Sequence, residues 1–101
     1  MSYAYVIEVH AQSGKLADLV DRFNADVLPA LQAHRLYVSA EVQLDIPNEI
    51  AILTMRTASP CPGALEFGEQ QIYKVTDLIV EPVPPRGFAI HPLGAPLVAA
   101  D

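Results

Sequence analysis

The side chains in this sequence that could do chemistry lie mostly on segments that alternate like strands: Glu8, His10, Tyr37, Ser39, Glu41, Thr54, Arg56, Tyr73 and Asp77. Glu8 and His10 are two residues apart, so a strand would point both to the same side. Histidine is the side chain whose ordinary titration lies near neutral pH, which makes His10 the candidate proton carrier. Arg56 is the candidate fixed cation, suited to an enolate or a carboxylate. Glu8 is the carboxylate that this cation would offset at rest. Asp77 is a further group able to move a proton. Tyr37, Glu41, Thr54, Tyr73 and Asp77 are the candidate substrate-binding residues, because a few polar groups converging in an apolar wall make a small-molecule site. The competing reading is plain: strand Glu, Thr and Tyr are often solvated or paired across the sheet. Glu8 and Arg56 could form a cross-strand salt bridge worth about 1 kcal/mol or less when exposed.

Other chemistries find little support. His10, His34 and His91 have no Cys, His or carboxylate at metal-ligand spacing, so no metal is expected. His91-Pro92 offers no context for a haem ligand. There is no Gly-x-Ser-x-Gly elbow, and Cys61 lies between two prolines as an incidental loop thiol. No glycine-rich loop follows a strand, which argues against a nucleotide. No cofactor is expected.

These side chains need elements to position them. Tyr3, Tyr5, Ile7 and Val9 alternate with Ala4, Val6, Glu8 and His10, giving a strand with one apolar face. Gln12-Ser13-Gly14 breaks it, and Ser13 is placed to cap a helix. Leu16, Leu19, Val20, Phe23, Val27 and Leu31 then form a helical stripe over about 15–34. Phe23, in mid-stripe, should pack on Ile7 or Val9. Pro29 cannot donate to the carbonyl of Ala25, which predicts a kink or a looser turn. Strands follow over 36–44 and 49–57, joined by the turn Asp45-Ile-Pro-Asn48. Ser59-Pro-Cys-Pro-Gly63 is a hard break. Residues 64–71 read as a turn or two of helix weakened by Gly68, and 72–81 as the fourth strand.

At 101 residues the chain is one domain. It divides into a core unit, 1–81, and a proline-rich apolar tail, 82–101, expected to pack on the domain or on a partner subunit. A 51% hydrophobic and 18% charged composition is globular, not disordered. Net charge is −6 and Arg22, Arg35, Arg56 and Arg86 stand apart, so neither nucleic acid nor an anionic membrane is an expected partner. A lone cysteine fits a reducing cytoplasm. No apolar run approaches the ~20 residues of a membrane span, and no signal peptide is visible.

The order strand, helix, strand, turn, strand, short segment, strand is α+β and ferredoxin-like. Tyr5-Val-Ile-Glu8 leading to Gly14-Lys-Leu, then Leu28-Pro29-Ala-Leu31 through His34, and Pro47-Asn-Glu-Ile50 opening a strand, carry the likeness further. Over residues 3–56 the chain resembles NIPSNAP-type proteins of the dimeric α/β-barrel superfamily. The resemblance implies a full second helix between the third and fourth strands, and a homodimer in which two four-stranded sheets face each other. The sequence departs from it after Arg56, where about fifteen residues with two prolines and two glycines read as a reduced helix, βαββ(α)β. It implies two functional classes. One is a cofactor-independent monooxygenase, cyclase or isomerase of secondary metabolism, acting on a small aromatic or polyketide-like molecule. The other is a non-catalytic ligand-binding or structural dimer. Fold alone does not choose between them.

Overall fold

The computed structural model describes residues 2–81 and 83–97. Of the expected tail, Pro82 and residues 98–101, Val98 among them, lie outside the described residues. Strand β1 (Ser2–His10) leads to a helical layer made of α1 (Leu16–Arg22), a π-helical turn (Phe23–Val27) and α2 (Leu28–Gln32). Strands β2 (Tyr37–Asp45) and β3 (Ile50–Thr57) form a hairpin, and helix α3 (Ala64–Tyr73), a 3-10 turn (Thr76–Leu78) and β4 (Arg86–Ile90) complete the chain. The sheet is antiparallel in the order β2-β3-β1-β4. This is the ferredoxin-like arrangement, with both helical segments on one side.

The first half follows its sequence pattern. Ile7 and Val9 of β1, Ala51, Leu53 and Met55 of β3, and Leu19, Phe23, Val27 and Leu31 of the helical stripe form one buried core. The helix starts at Leu16 without a side-chain cap, so Ser13 does not serve as one. The looser turn comes just before Pro29. Leu28 N–H reaches back to the carbonyl of Phe23, five residues away. Pro29 then sits in the first turn of α2, where a missing N–H costs nothing.

The second half corrects the sequence reading. Helix α3 is ten residues long, not a remnant. Residues 72–81 are not the fourth strand. Ile72, Val75, Leu78 and Ile79 are buried at helical spacing, and they join the core through the end of α3 and the 3-10 turn. Only Ile79 makes a bridge, to Ala11. Pro84 and Pro85 have no N–H to extend that pairing. It resumes at β4, where Arg86 to Ile90 pair with Val6 to Ser2. The fourth strand therefore comes from the proline-rich stretch.

Gly68 explains how α3 sits so close. A Cβ there would lie 3.1 Å from the ring of Pro85. The helix carries a residue that costs about 1 kcal/mol relative to alanine, and in return α3 packs against the entry to β4.

Candidate functional site

One face of the sheet is covered by helices and the other is open. The register sets the open face in cross-sheet rows. Arg86, Val6, Thr54 and Glu41 form one row, and Phe88, Ala4, Arg56 and Ser39 the next. Glu8 stands opposite Ile52 and His10 opposite Ile50. Val6, Ile50, Ile52 and Ile90 set aliphatic side chains among the polar groups of this face.

Glu8 and His10 come together as β1 alternation requires. His10 Nε2 and Glu8 Oε2 are 2.9 Å apart, and the Glu8 side chain is only 28% exposed. The other carboxylate oxygen, Oε1, lies 3.9 Å from the guanidinium of Arg86. That guanidinium also sits 5.6 Å from the centroid of the Phe88 ring, close enough for a cation–π contact. Arg86 is not among the sequence candidates, because the sequence pattern places the fourth strand at 72–81. Its position before Gly87-Phe88-Ala-Ile90, a short alternating run, was the available signal.

Arg56 does not meet Glu8. It stands opposite Ala4, four residues along β1 from Glu8, which is about 13 Å at the rise of a strand. Its partner is Glu41 on β2, whose Oε1 accepts from Nε at 3.2 Å and from a terminal nitrogen at 2.9 Å. Neither the catalytic triplet nor the Glu8–Arg56 salt bridge forms as expected. Thr54 is buried on the same face, between Val6 and Glu41.

The other three candidates lie elsewhere. A bulge between Tyr37 and Ser39 breaks the alternation of β2. Tyr37 consequently pairs with Thr57 and packs on the core, on the helix side. Tyr73 is on the outer surface of α3 and 75% exposed. Asp77, in the 3-10 turn, accepts two hydrogen bonds from Arg22, at 3.0 and 3.1 Å. That bond holds Asp77 below the ordinary aspartate range and Arg22 above its ordinary value. Arg22 also donates to the carbonyl of Lys74, so the group ties α1 to the end of α3.

A second cluster, on the helix side, brings together residues that are far apart in sequence. The backbone N–H of Cys61 donates to the Tyr5 hydroxyl at 2.8 Å. Cys61 Sγ is 3.5 Å from His34 Nε2, and His34 packs on Phe67. Leu36 N–H donates to His34 Nδ1 at 3.2 Å. An accepting Nδ1 leaves the ring hydrogen of a neutral imidazole on Nε2, which then donates to the sulfur. His34 so placed cannot take the thiol proton, nor offer Nε2 to a metal. Burial pushes the Cys61 thiol up, with the charge of Arg35 pulling the other way. The cluster is a packing junction, not a nucleophile with its base. Among the described residues no group of three metal-ligating side chains occurs.

The space between the sheet and α3 is also small. The cavity that Leu31, Leu53, Met55, Phe67 and Gly68 help to line is about 20 Å³, room for one water at most. A ligand of aromatic size has no place there. No helix is long and apolar enough to cross a membrane among the described residues.

No protein-family model matches the sequence. No curated protein matches it either. Solved structures do match in fold. Rv0793 from Mycobacterium tuberculosis is 16% identical, with 94% of this chain and 100% of that one covered and a TM-score of 0.67. A Bordetella bronchiseptica protein provisionally named an antibiotic biosynthesis monooxygenase is 12% identical, over 89% and 97% of the two chains, with a TM-score of 0.70. The monooxygenase from the gene ActVA-Orf6 of Streptomyces coelicolor, solved with nanaomycin D, is 14% identical over 97% and 93%, with a TM-score of 0.64. At such identities the likeness concerns architecture, and the chain shares the α+β ferredoxin-like fold of these structures.

Proposed function

We propose that two copies of this chain bring their open sheet faces together and enclose a small planar molecule, aromatic or polyketide-like. The observation that carries this reading is the half-buried Glu8–His10 pair, opposite Ile52 and Ile50 and with Arg86 beside it. A carboxylate and an imidazole in contact can hold and pass a proton. Arg86 supplies the positive charge for an anionic intermediate, and Phe88 offers a ring to stack on. Arg56, Glu41 and Thr54 form a second polar group on the same face, further along the sheet.

The reaction class we assign is cofactor-independent monooxygenation, or the related cyclase and isomerase chemistry. The nanaomycin D bound by the Streptomyces coelicolor monooxygenase supports a polyketide-like ligand. Within the superfamily we retain NIPSNAP-type proteins as relatives, on the motifs in 3–56. A reducing, cytoplasmic setting is our reading of the lone free Cys61.

A second reading is a ligand-binding or structural dimer without turnover. The Arg56–Glu41 pair favours it, since both charges are already matched on the sheet. The test is ligand binding by calorimetry with planar phenols and hydroquinones, followed by assay for oxygen uptake. Binding that His10→Ala and Glu8→Gln abolish, with the dimer intact, is the expected result. Binding that survives both variants would move the ligand away from this face.

A further inference from the structure

The seven described residues after β4 have an unusual surface. Leu93 is 100% exposed and Leu97 80% exposed. They are not part of a formless end. Gly94 adopts φ +92, a conformation that favours glycine, and His91 Nε2 is 2.8 Å from the carbonyl oxygen of Ala95. Pro92 and Pro96 stiffen the stretch on both sides of this turn. The result is a preformed knuckle that presents two leucines to water. Polar residues would be the ordinary choice for a solvated arm.

We propose that this arm, His91 to Leu97, docks on a second copy of the chain, against the partner's open sheet face. The inference rests on the face-to-face dimer described above and adds a part to it. Two observations choose the second copy as occupant. The arm continues directly from Ile90, which lies on the open face with Arg86 and Phe88. When two such faces meet, the arm leaves the sheet alongside the partner. The second observation is area. Four strands ~4.8 Å apart, at ~3.3 Å per residue, give the open face a flat footprint of roughly 500 Å². A stable interface buries about 800 Å² on each partner. Side-chain relief narrows this difference, and two exposed leucines per copy, four in the dimer, supply apolar area where the sheet runs out.

The test uses the full chain. Leu93→Asp with Leu97→Asp changes only residues that are exposed in the single chain, so the fold of each copy stays as it is. Circular dichroism checks that directly. Sedimentation equilibrium should show the dimer dissociation constant raised at least ~100-fold. An unchanged constant would overturn the arm. Ile52→Asp, on the open face opposite Glu8, separates the two ideas. If Ile52→Asp breaks the dimer and the arm variant does not, the face-to-face dimer stands and the arm falls. If the arm variant breaks it and Ile52→Asp does not, the open-face reading falls, and the docking of the arm on that face falls with it. A wild-type chain that is monomeric at micromolar concentration removes both.

Discussion

Glu8 Oε2 and His10 Nε2 lie 2.9 Å apart, two residues along a single strand. The pair is local, built by the alternation of β1 alone. The cation beside it comes from β4, at the other end of the chain. Arg56, the more obvious cation in the sequence, is held by Glu41.

That difference predicts an ordering among variants. His10→Ala and Glu8→Gln should each weaken ligand binding at least ~10-fold, the scale of one lost charge-assisted hydrogen bond. Arg86→Gln should weaken it for anionic ligands and spare neutral ones. Arg56→Ala should change it less than about twofold, since its partner is on β2. Binding isotherms on the four variants check the order.

Phe23 anchors the helical layer on the sheet. It is 5% exposed and belongs to the same buried cluster as Ile7 and Val9. Phe23→Ala should cost roughly 3–5 kcal/mol. Chemical denaturation measures it, and a negligible shift of the midpoint would put the stripe on the wrong face.

The sequence is clearest where one period dominates. The alternation of 3–10 placed Ile7 and Val9 inward and Glu8 and His10 outward. The stripe from Leu16 to Leu31 has a single helical phase, and Pro47-Asn48 marks the hairpin. Residues 72–80 carry two periods at once. Ile72, Val75, Leu78 and Ile79 fit a helix, while Ile72, Leu78 and Val80 also alternate. Only the packing on β1 and α1 decides, and that packing is non-local. Strand β4 is five residues between prolines, an edge strand that exists through its pairing with β1. Arg86 was illegible as a site residue for that reason. The bulge beside Val38, which turns Tyr37 to the helix side, has no marker in the local sequence.

The Arg22–Asp77 contact should make stability fall with acid. Its hydrogen bond lowers the Asp77 carboxyl in the folded state relative to the unfolded chain. A group with a lowered folded value adds stability above its unfolded value. That stability is lost as pH falls through the folded one. Asp77→Asn should therefore be less stable than the wild type near pH 7, and the gap should close below about pH 4. Thermal melts of both proteins across this range give the comparison. A gap independent of pH would mean that the contact contributes nothing through charge.

Cys61 should behave in the opposite sense. Burial raises its thiol above the ordinary cysteine value, so the stability it contributes is present at neutral pH and lost as pH rises through the folded value. Native protein should react slowly with iodoacetamide at pH 7, and unfolded protein quickly. Rapid alkylation of the folded chain would contradict a buried, neutral thiol beside a donating His34.

A crystal structure of the assembled protein tests the central claim most directly. Two open sheet faces should meet around a closed cavity whose wall includes Glu8, His10 and Arg86 from each copy. Glu8 and His10 facing bulk solvent in that assembly would contradict it.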